Sequence, residues 1–257
     1  MSLKSDLSVR MKEYYENIFK TKLMRRTPVV IRLDGKAFHT FTRGMSRPFD
    51  EVLSKSMRDT MKYLCENIQG CVIGYTQSDE ITLVLVDYKN LNTSAWFDYE
   101  VQKMCSISAS MATFAFNRFF EENFYDWFSD NSDNLKLVKV YREAIQKGAM
   151  FDTRVFNIPK EEVANMLFWR QDDAIKNSIQ MVAQCKYSHK ELQGISTRRL
   201  KEKLYKDFNI DWDSYPTKYK RGSCCIKNDG SWFVDTEIPI FKDLGRGYIE
   251  KLIFVGE

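Results

Sequence analysis

A hairpin signal in the first third of the chain restricts the fold more than any other feature. Residues 71–86 read CVIGYTQSDEITLVLV, two apolar runs around the polar stretch 76–80, and this pattern predicts two strands joined by a short turn. Upstream, Pro28 precedes the β-branched segment VVIRLDG at 29–35, which predicts a buried strand ending in Asp-Gly. We expect these three strands to lie in one sheet.

Helical spacing of apolar residues fills the gaps between the strands. Positions three or four apart predict helices over residues 3–20, 53–64 and 95–118. FDTRVFNIP at 151–159 predicts a further strand. The resulting order β-α-β-β-α-β is that of the split β-α-β, ferredoxin-like arrangement, a scaffold that by itself implies no chemistry.

The last hundred or so residues continue in a different pattern. Helices are predicted over 160–187 and 189–208, and strands near 224–227 and 232–236. We therefore expect an α+β protein of the α/β-sandwich type. Residues 1–160 would form the ferredoxin-like core, with an N-terminal helix and with helices on one face of the sheet, and residues 161–257 a helical and β extension packed on that core.

Composition excludes several classes of protein. With 44% hydrophobic and 29% charged residues, and only 11 Gly and 5 Pro among 257 residues, the chain is neither disordered nor fibrous. Its longest uncharged run, Met104 to Asn117, is too short to span a bilayer. The first residues, MSLKSDLSVRMKEYY, contain no apolar signal core, so we expect a cytoplasmic protein without a membrane partner.

The numbers of cysteines and histidines limit the chemistry. The six cysteines form no C-x-x-C pair, and buried reduced thiols are their simplest explanation. His39 and His189 are the only histidines, which nearly excludes a zinc cluster or a Ser-His-Asp triad. Any catalysis is therefore expected to rest on carboxylates, bases and ions other than zinc.

Basic residues are concentrated in three places although the net charge is only +4. Residues 1–26, residues 186–206 and the group Lys218, Lys220 and Arg221 are each rich in Lys and Arg. A solvated helix face is the common explanation of one such cluster, whereas three clusters with interleaved tyrosines favour a polyanion such as a nucleic acid. The candidates for RNA contacts are Lys186, Lys190, Arg198, Arg199, Lys220 and Arg221.

Two carboxylates are predicted to converge on this sheet. Asp34 ends the first strand and Asp79 lies in the hairpin, and in a split β-α-β sheet the first strand lies beside the hairpin. Converging carboxylates suit Mg²⁺, and two such ions can activate an attacking hydroxyl and stabilise a leaving pyrophosphate. Adjacent residues of an extended strand point to opposite faces, so Asp79 is favoured over Glu80 as the second ligand, and Glu80 is kept as a further catalytic candidate. An ordinary Asp-Gly turn and an ordinary hairpin tip are the structural alternatives.

The loop after Asp34 is a candidate nucleotide-binding segment. Its members are Gly35, Lys36, Ala37, Phe38 and His39. The glycine permits a close backbone approach, and the successive amides would surround a triphosphate. Phe38 or His39 would lie against a base, although one glycine without a Walker pattern is a weak signal and a lone histidine is more often structural. Arg47 and Arg154 would neutralise phosphate, the alternative being surface ion pairs.

Taken together, these residues resemble a known family. The motifs, in chain order, are Arg32-Leu33-Asp34-Gly35 with Phe38-His39, Gln77-Ser78-Asp79-Glu80, Phe151-Asp152-x-Arg154, Trp169-Arg170-Gln171-x-Asp173 and Tyr219-Lys220-Arg221-Gly222. Their order is that of the tRNA-His guanylyltransferase family, and the resemblance extends over residues 30–225.

The resemblance implies a polymerase palm-like core that adds nucleotides in the 3′-to-5′ direction to the 5′ end of a tRNA. It implies two Mg²⁺ ions held by Asp34, the Gly35 carbonyl and Asp79, and nucleotide contacts from the stretch Asp34 to His39 and from Ser78 and Asp79. ATP and GTP would be substrates, and a homotetramer is the family's usual assembly.

One departure from the family pattern bears on the substrate. Enzymes specific for tRNA-His continue Trp-Arg-Gln-x-Asp with a Cys-His-Ile-Asn-Asn run, whereas residues 173–177 read Asp-Ala-Ile-Lys-Asn here. The chain thereby resembles the like-protein branch of bacteria and archaea, which is associated with templated repair of 5′-truncated tRNAs. We therefore expect template-dependent repair of tRNA 5′ ends, and the addition of a single guanylate to tRNA-His is the alternative.

Two more distant alternatives share some of these features. A nucleotidyl cyclase would use the same metals on the same scaffold, but it needs no polyanion groove of the kind that the basic region at 186–221 favours. A non-catalytic RNA-binding protein gains nothing from two converging acids, because without metal they repel phosphate.

Overall fold

The computed structural model describes residues 3–255, and within that range six strands form a single sheet. The strands are β1 Val29–Gly35, β2 Cys71–Gln77, β3 Glu80–Leu85, β4 Phe151–Asn157, β5 Ser223–Asn228 and β6 Ser231–Asp235. The α-helices are α1 Leu3–Met11, α2 Phe38–Phe41, α3 Glu51–Asn67, α4 Val101–Asn131, α5 Leu135–Lys147, α6 Lys160–Gln184, α7 His189–Leu192, α8 Thr197–Phe208, α9 Thr217–Arg221 and α10 Gly247–Ile253.

Neighbouring strands in the sheet are antiparallel, and the strand order is β4-β1-β3-β2-β5-β6. The first four positions, 4-1-3-2, are the ferredoxin-like arrangement predicted from the sequence, and β1 lies beside the hairpin strand β3 as expected. Strands β5 and β6, which belong to the predicted extension, continue the same sheet beyond β2. The predicted division after residue 160 falls at the first residue of α6 and stays a prediction.

Alternation along β1 divides the interior into two layers. Val29, Ile31 and Leu33 are fully buried in the layer under α3 and α4, whereas Val30 points to the opposite layer, which α6 and α10 cover. Each large apolar side chain buried in this way stabilises the fold by about 1.5–3 kcal/mol. The two helices of the ferredoxin-like core therefore share one face, as predicted, and the extension covers part of the other.

Asp50 fixes the start of the helix that forms one wall of the site. Its carboxylate accepts a hydrogen bond of 2.9 Å from the amide of Leu53 and so caps α3. The same carboxylate accepts a bond of 2.7 Å from the hydroxyl of Tyr141 in α5. Because both partners are buried, α3 begins at a defined point relative to α5.

Several helices differ from their predictions. The helix predicted over 95–118 begins only at Val101, after a left-handed turn at Phe97 and Asp98, and extends to Asn131 because Phe120 and Phe124 continue its buried face. The region predicted as a single helix over 3–20 is divided: the α-helix ends at Met11, and a π-helical turn follows at Lys12–Glu16. The basic helical region divides at Gly194, whose φ of +73° is left-handed.

Helix α5 is absent from the sequence prediction, although its buried residues Val138, Tyr141 and Ala144 follow a helical spacing of three. The charged residues between them masked that pattern. No helix in the described residues 3–255 is both long and apolar enough to cross a membrane.

Candidate active site

The acidic residues predicted to meet do so at the end of β1. In the antiparallel register, Asp34 lies directly opposite Glu80 of β3 and Asp152 of β4. Residues directly opposite in such a pair have their side chains on the same face. The acids therefore form a row across three strands, on the face away from α3 and α4, where Asp34 is partly buried and Asp152 exposed.

Asp79 reaches the same point from the hairpin turn rather than from the strand. Ser78 is left-handed with a φ of +50°, and the carbonyl of Asp79 accepts a hydrogen bond of 3.0 Å from the amide of Gly35. The Asp79 carboxylate accepts a bond of 2.9 Å from the Ser78 hydroxyl. Burial raises the pKa of Asp79, and the nearby Asp34 and Glu80 carboxylates add to that rise, while the Ser78 hydroxyl opposes it. The hairpin thus holds like charges together.

Glu80 is held by an arginine of α6. Arg170 donates two hydrogen bonds of 2.7 Å, one from Nε and one from Nη2, to the two oxygens of the Glu80 carboxylate. Only 9% of the Glu80 side chain and 12% of the Arg170 side chain are exposed. Arg170 also donates a bond of 2.6 Å to Asp173. Both oxygens of Glu80 are thus engaged; its predicted catalytic role stays a prediction, and this geometry favours a positioning role.

A cleft of about 610 Å³ opens beside the carboxylates. Most residues predicted to bind nucleotide line it, namely Asp34, Gly35, Ala37, Phe38, His39, Arg47, Ser78 and Asp79. Its other lining residues, which the sequence analysis did not select, are Thr42, Met45, Ser46, Pro48, Asp50, Leu53, Met181 and Gln184. Lys36 is exposed and outside this lining. The volume is in the range of cavities that bind small molecules.

The turn after β1 leaves backbone amides unpaired beside this cleft. Ala37 is left-handed with a φ of +55°, and the short helix α2 begins at the next residue. Within the described part of the chain, the amides of Ala37, Phe38 and His39 donate to no protein acceptor, whereas the Lys36 amide donates to the Met150 carbonyl at 2.8 Å. Successive unpaired amides of this kind favour an anion.

Phe38 corrects one expectation from the sequence. Its ring is 4% exposed and packs against Phe41, Phe116 and Phe151, with ring centroids 5.1–5.4 Å apart, so it cannot lie against a base. A Cβ on Gly35 would stand 2.3 Å from this ring. The glycine is therefore required because the ring packs on its backbone, and Phe38 anchors the turn from below.

The basic residues predicted to contact RNA fall into two groups. Lys186, Lys190, Arg198 and Arg199 are exposed around α7 and α8. Lys220 instead bonds the carbonyl of Asp213, and Arg221 donates from Nε to the carbonyl of Ile238 at 3.0 Å. The second group therefore also holds chain segments together. An RNA contact by any of the six stays a prediction.

The acids alone form an incomplete metal site. Within residues 3–255, no three His, Cys, Asp or Glu side chains are grouped so that they could hold a metal ion. Mg²⁺ usually keeps several waters and takes only one or two carboxylates together with phosphate oxygens. The oxygen donors of Asp34 and Asp79, open to the cleft, fit that pattern.

Comparison with known proteins agrees with the fold and identifies the family. The family model described as Thg1, tRNAHis guanylyltransferase, matches residues 8–159. The uncharacterized protein R259 of Acanthamoeba polyphaga mimivirus is 29% identical over 224 residues, which are 83% of this chain and 74% of that protein. The probable tRNA(His) guanylyltransferase of Dictyostelium discoideum is 25% identical over 250 residues, which are 91% of this chain and 88% of that protein.

Solved structures extend the comparison to nearly the whole chain. A bacterial tRNA(His) guanylyltransferase (Thg1)-like protein in complex with ATP has a TM-score of 0.83 and 42% identity, and the match covers 96% of this chain and 99% of that one. The corresponding protein in complex with GTP has a TM-score of 0.79 and 37% identity, with 97% and 99% covered. The enzyme of Saccharomyces cerevisiae, at 20% identity and a TM-score of 0.66, shares the fold.

The palm-like antiparallel sheet, the acids at the end of β1 and these matches together define a nucleotidyltransferase. The chain belongs to the tRNA(His) guanylyltransferase family, and the resemblance found in its motifs is confirmed.

Proposed function

We propose that this protein is a template-dependent 3′-to-5′ nucleotidyltransferase that repairs truncated 5′ ends of tRNA. The observation that carries the proposal is the meeting of Asp34 and Asp79 at a cleft large enough for a nucleoside triphosphate. Family membership supports tRNA as the partner. The ATP and GTP complexes of the bacterial relatives support nucleoside triphosphates as ligands of this cleft.

Two Mg²⁺ ions are part of the proposal. Asp34, the Gly35 carbonyl and Asp79 would hold them, and the raised pKa of Asp79 supports a cation here because like charges are held together without one. Bound at this point, the ions would neutralise phosphate charge and lower the pKa of an attacking hydroxyl. The protein's own part is positioning, as is usual in phosphoryl transfer.

Several groups that line the cleft have a place in this scheme. The amides of residues 37–39 and the exposed Arg47 would bind the triphosphate, and His39 would face the nucleoside. A 5′-monophosphate end would first receive AMP from ATP with release of pyrophosphate, and the 3′-hydroxyl of the incoming nucleotide would then attack the 5′-phosphate and displace that AMP. An end that already carries a triphosphate would release pyrophosphate directly.

Repair is proposed over tRNA-His maturation because of residues 173–177. Ala174 and Asn177 of this stretch line a small cavity of about 100 Å³ together with Ser78 of the hairpin turn. Position 174, where the enzymes specific for tRNA-His have a histidine, is therefore an alanine beside the catalytic turn. The names of the eukaryotic relatives favour the addition of one guanylate to tRNA-His as the second candidate function.

The test is nucleotide addition to matched pairs of tRNAs, full-length and lacking the first nucleotide, with the substrate labelled at its 5′ end. Efficient addition to several truncated tRNAs supports repair. Addition confined to full-length tRNA-His supports the second candidate. Asp34→Asn and Asp79→Asn are expected to abolish addition by the folded protein, and Asp152→Asn, in the same acidic row but with an exposed side chain, is the matched control that retains it.

Self-association into a homotetramer is proposed from the N-terminal region. The N-terminal region exposes an apolar surface to water, which is typical of an interaction site. Its residues, each 50–71% exposed, are Leu7, Tyr14, Ile18, Phe19 and Met24. Ile18→Glu is expected to lower the mass measured by light scattering after gel filtration. Tyr205→Glu, an equally exposed site on α8, is the control. A cytoplasmic location stays part of the proposal.

A further inference from the structure

The sheet face that carries Asp34 becomes accessible toward the end of β1. Val30 is fully buried in the layer that α6 and α10 cover, whereas Arg32 and Asp34, which follow it on the same face, are partly exposed. On β4 the side chains of Asp152 and Arg154 are 55% and 58% exposed. Arg32 of β1 lies directly opposite Arg154 and is partly exposed. The accessible end of this face therefore has a basic row, Arg32 and Arg154, behind the acidic row of Asp34 and Asp152.

Trp169 of α6 lies beside this accessible surface, next to Arg32. The residue is 51% exposed, which is unusual for the largest apolar side chain. The guanidinium of Arg170 lies 4.6 Å from the centroid of its ring, and that of Arg32 lies 5.9 Å away. Arg170 is committed to Glu80 and Asp173, so it fixes the ring without covering it fully. The result is a rigid, accessible aromatic ring beside cationic groups.

The arrangement of the two rows gives this surface a direction. Arg32 is two residues before Asp34 on the same strand and face, a distance of about 7 Å along an antiparallel strand. The triphosphate-sized cleft lies beyond Asp34, lined by residues that follow β1. Asp34 therefore lies between the cleft and the surface formed by Arg32, Arg154 and Trp169, here called the Trp169 patch. Asp152 lies 3.6 Å from Arg154 and Glu80 is paired with Arg170, so two of the acids beside the patch have a cationic neighbour.

We propose that the Trp169 patch binds the end of the tRNA acceptor stem, with the terminal base stacked on Trp169 and with Arg32 and Arg154 contacting backbone phosphates. This inference rests on the proposed function, because it takes the polynucleotide to be the RNA whose 5′ end is extended. An aromatic ring binds every base through its π face and reads no sequence. That property suits an enzyme that accepts ends of different sequence, and guanidinium groups bind phosphate by charge-assisted hydrogen bonds.

The test uses an acceptor-stem hairpin with 2-aminopurine at its 5′ terminus, whose fluorescence falls when the base stacks. The wild-type protein is expected to quench it. Trp169→Ala should lose the quench and weaken hairpin binding about tenfold, whereas Trp169→Phe should keep most of both. Tyr125→Ala, which removes an aromatic side chain of similar exposure from α4 on the other face, is the control and should behave as wild type.

One further measurement decides whether the stacked base belongs to the RNA or to a free nucleotide. ATP affinity, measured by titration without RNA, should stay within about twofold of wild type in Trp169→Ala; a loss of ATP affinity with hairpin binding intact would assign the ring to a free nucleotide and overturn the proposal. Unchanged quenching in the folded Trp169→Ala protein would overturn it as well. Because binding and quenching need no catalysis, a wild-type protein that binds and quenches but adds no nucleotide would refute the proposed function and leave the patch standing.

Discussion

Replacing Arg170 by Met should destabilise the protein more than replacing its partner Glu80 by Gln. Arg170→Met leaves a carboxylate with 9% of its side chain exposed beside Asp34 and Asp79 and without a cation. Breaking a buried pair from one side costs roughly 3–5 kcal/mol, and we take the lower end, about 3 kcal/mol, because the pair borders a cleft. For a chain of this size that corresponds to a melting temperature lowered by about 6–12 °C.

The matched variants separate the charge from the loss of packing. In Glu80→Gln, Arg170 keeps its bond to Asp173, so the loss of stability should be smaller. In the double variant Arg170→Met with Glu80→Gln, no unpaired carboxylate is left at position 80, and a large part of the loss should be recovered.

Thermal unfolding in metal-free buffer, followed by circular dichroism, gives the stability of the wild type and of the three variants. The reasoning would be refuted by an Arg170→Met protein as stable as wild type, or by a double variant less stable than Arg170→Met. Either result would mean that the pair contributes shape rather than charge compensation.

Three further predictions concern the cleft and the basic surface. Because the folded protein raises the pKa of Asp79, stability is lost as the pH rises through that raised value. Asp79→Asn should therefore melt at a higher temperature than wild type at pH 7 without metal, and Mg²⁺ should stabilise only the wild type. A melting temperature of Asp79→Asn below that of wild type would contradict this. Gly35→Ala should lower the free energy of unfolding by about 1–3 kcal/mol, measured by urea unfolding, because its Cβ meets the buried Phe38 ring. The variant should also lose ATP binding, measured by titration. A fully stable variant that binds ATP would contradict the tight contact. Arg198→Ala with Arg199→Ala should weaken binding of all tRNAs alike and reduce the salt slope by about two at most, and an unchanged slope would mean a merely solvated helix face.

The carboxylates could be placed from the sequence because their signals are local. β-Branched runs define β1 and the hairpin, and the acids follow directly at their ends. The split β-α-β order then determines which strands are neighbours, so Asp34 and Asp79 could be brought together without a structure. Strand alternation does not contain the left-handed turn at Ser78, which brings Asp79 to the end of β1.

Other features depend on residues far apart in the chain. Arg170 is ninety positions from Glu80, and no local pattern links a helix residue to a particular strand residue. The burial of Phe38 depends on Phe116 and Phe151, which arrive from α4 and β4. Phe38 follows a loop glycine and so resembles a ligand-facing aromatic, although packing makes it a core residue.

The central claim is that the opposing strand of the tRNA, rather than the protein, selects the added nucleotide. The most direct measurement is single-turnover addition to a tRNA lacking its first nucleotide, with each of the four nucleotides tested against each of the four opposing bases. We predict that the Watson–Crick partner is favoured by about tenfold or more at every opposing base, since pairing and stacking contribute roughly 1–2 kcal/mol per step. Preferential addition of guanylate whatever base lies opposite would contradict the account.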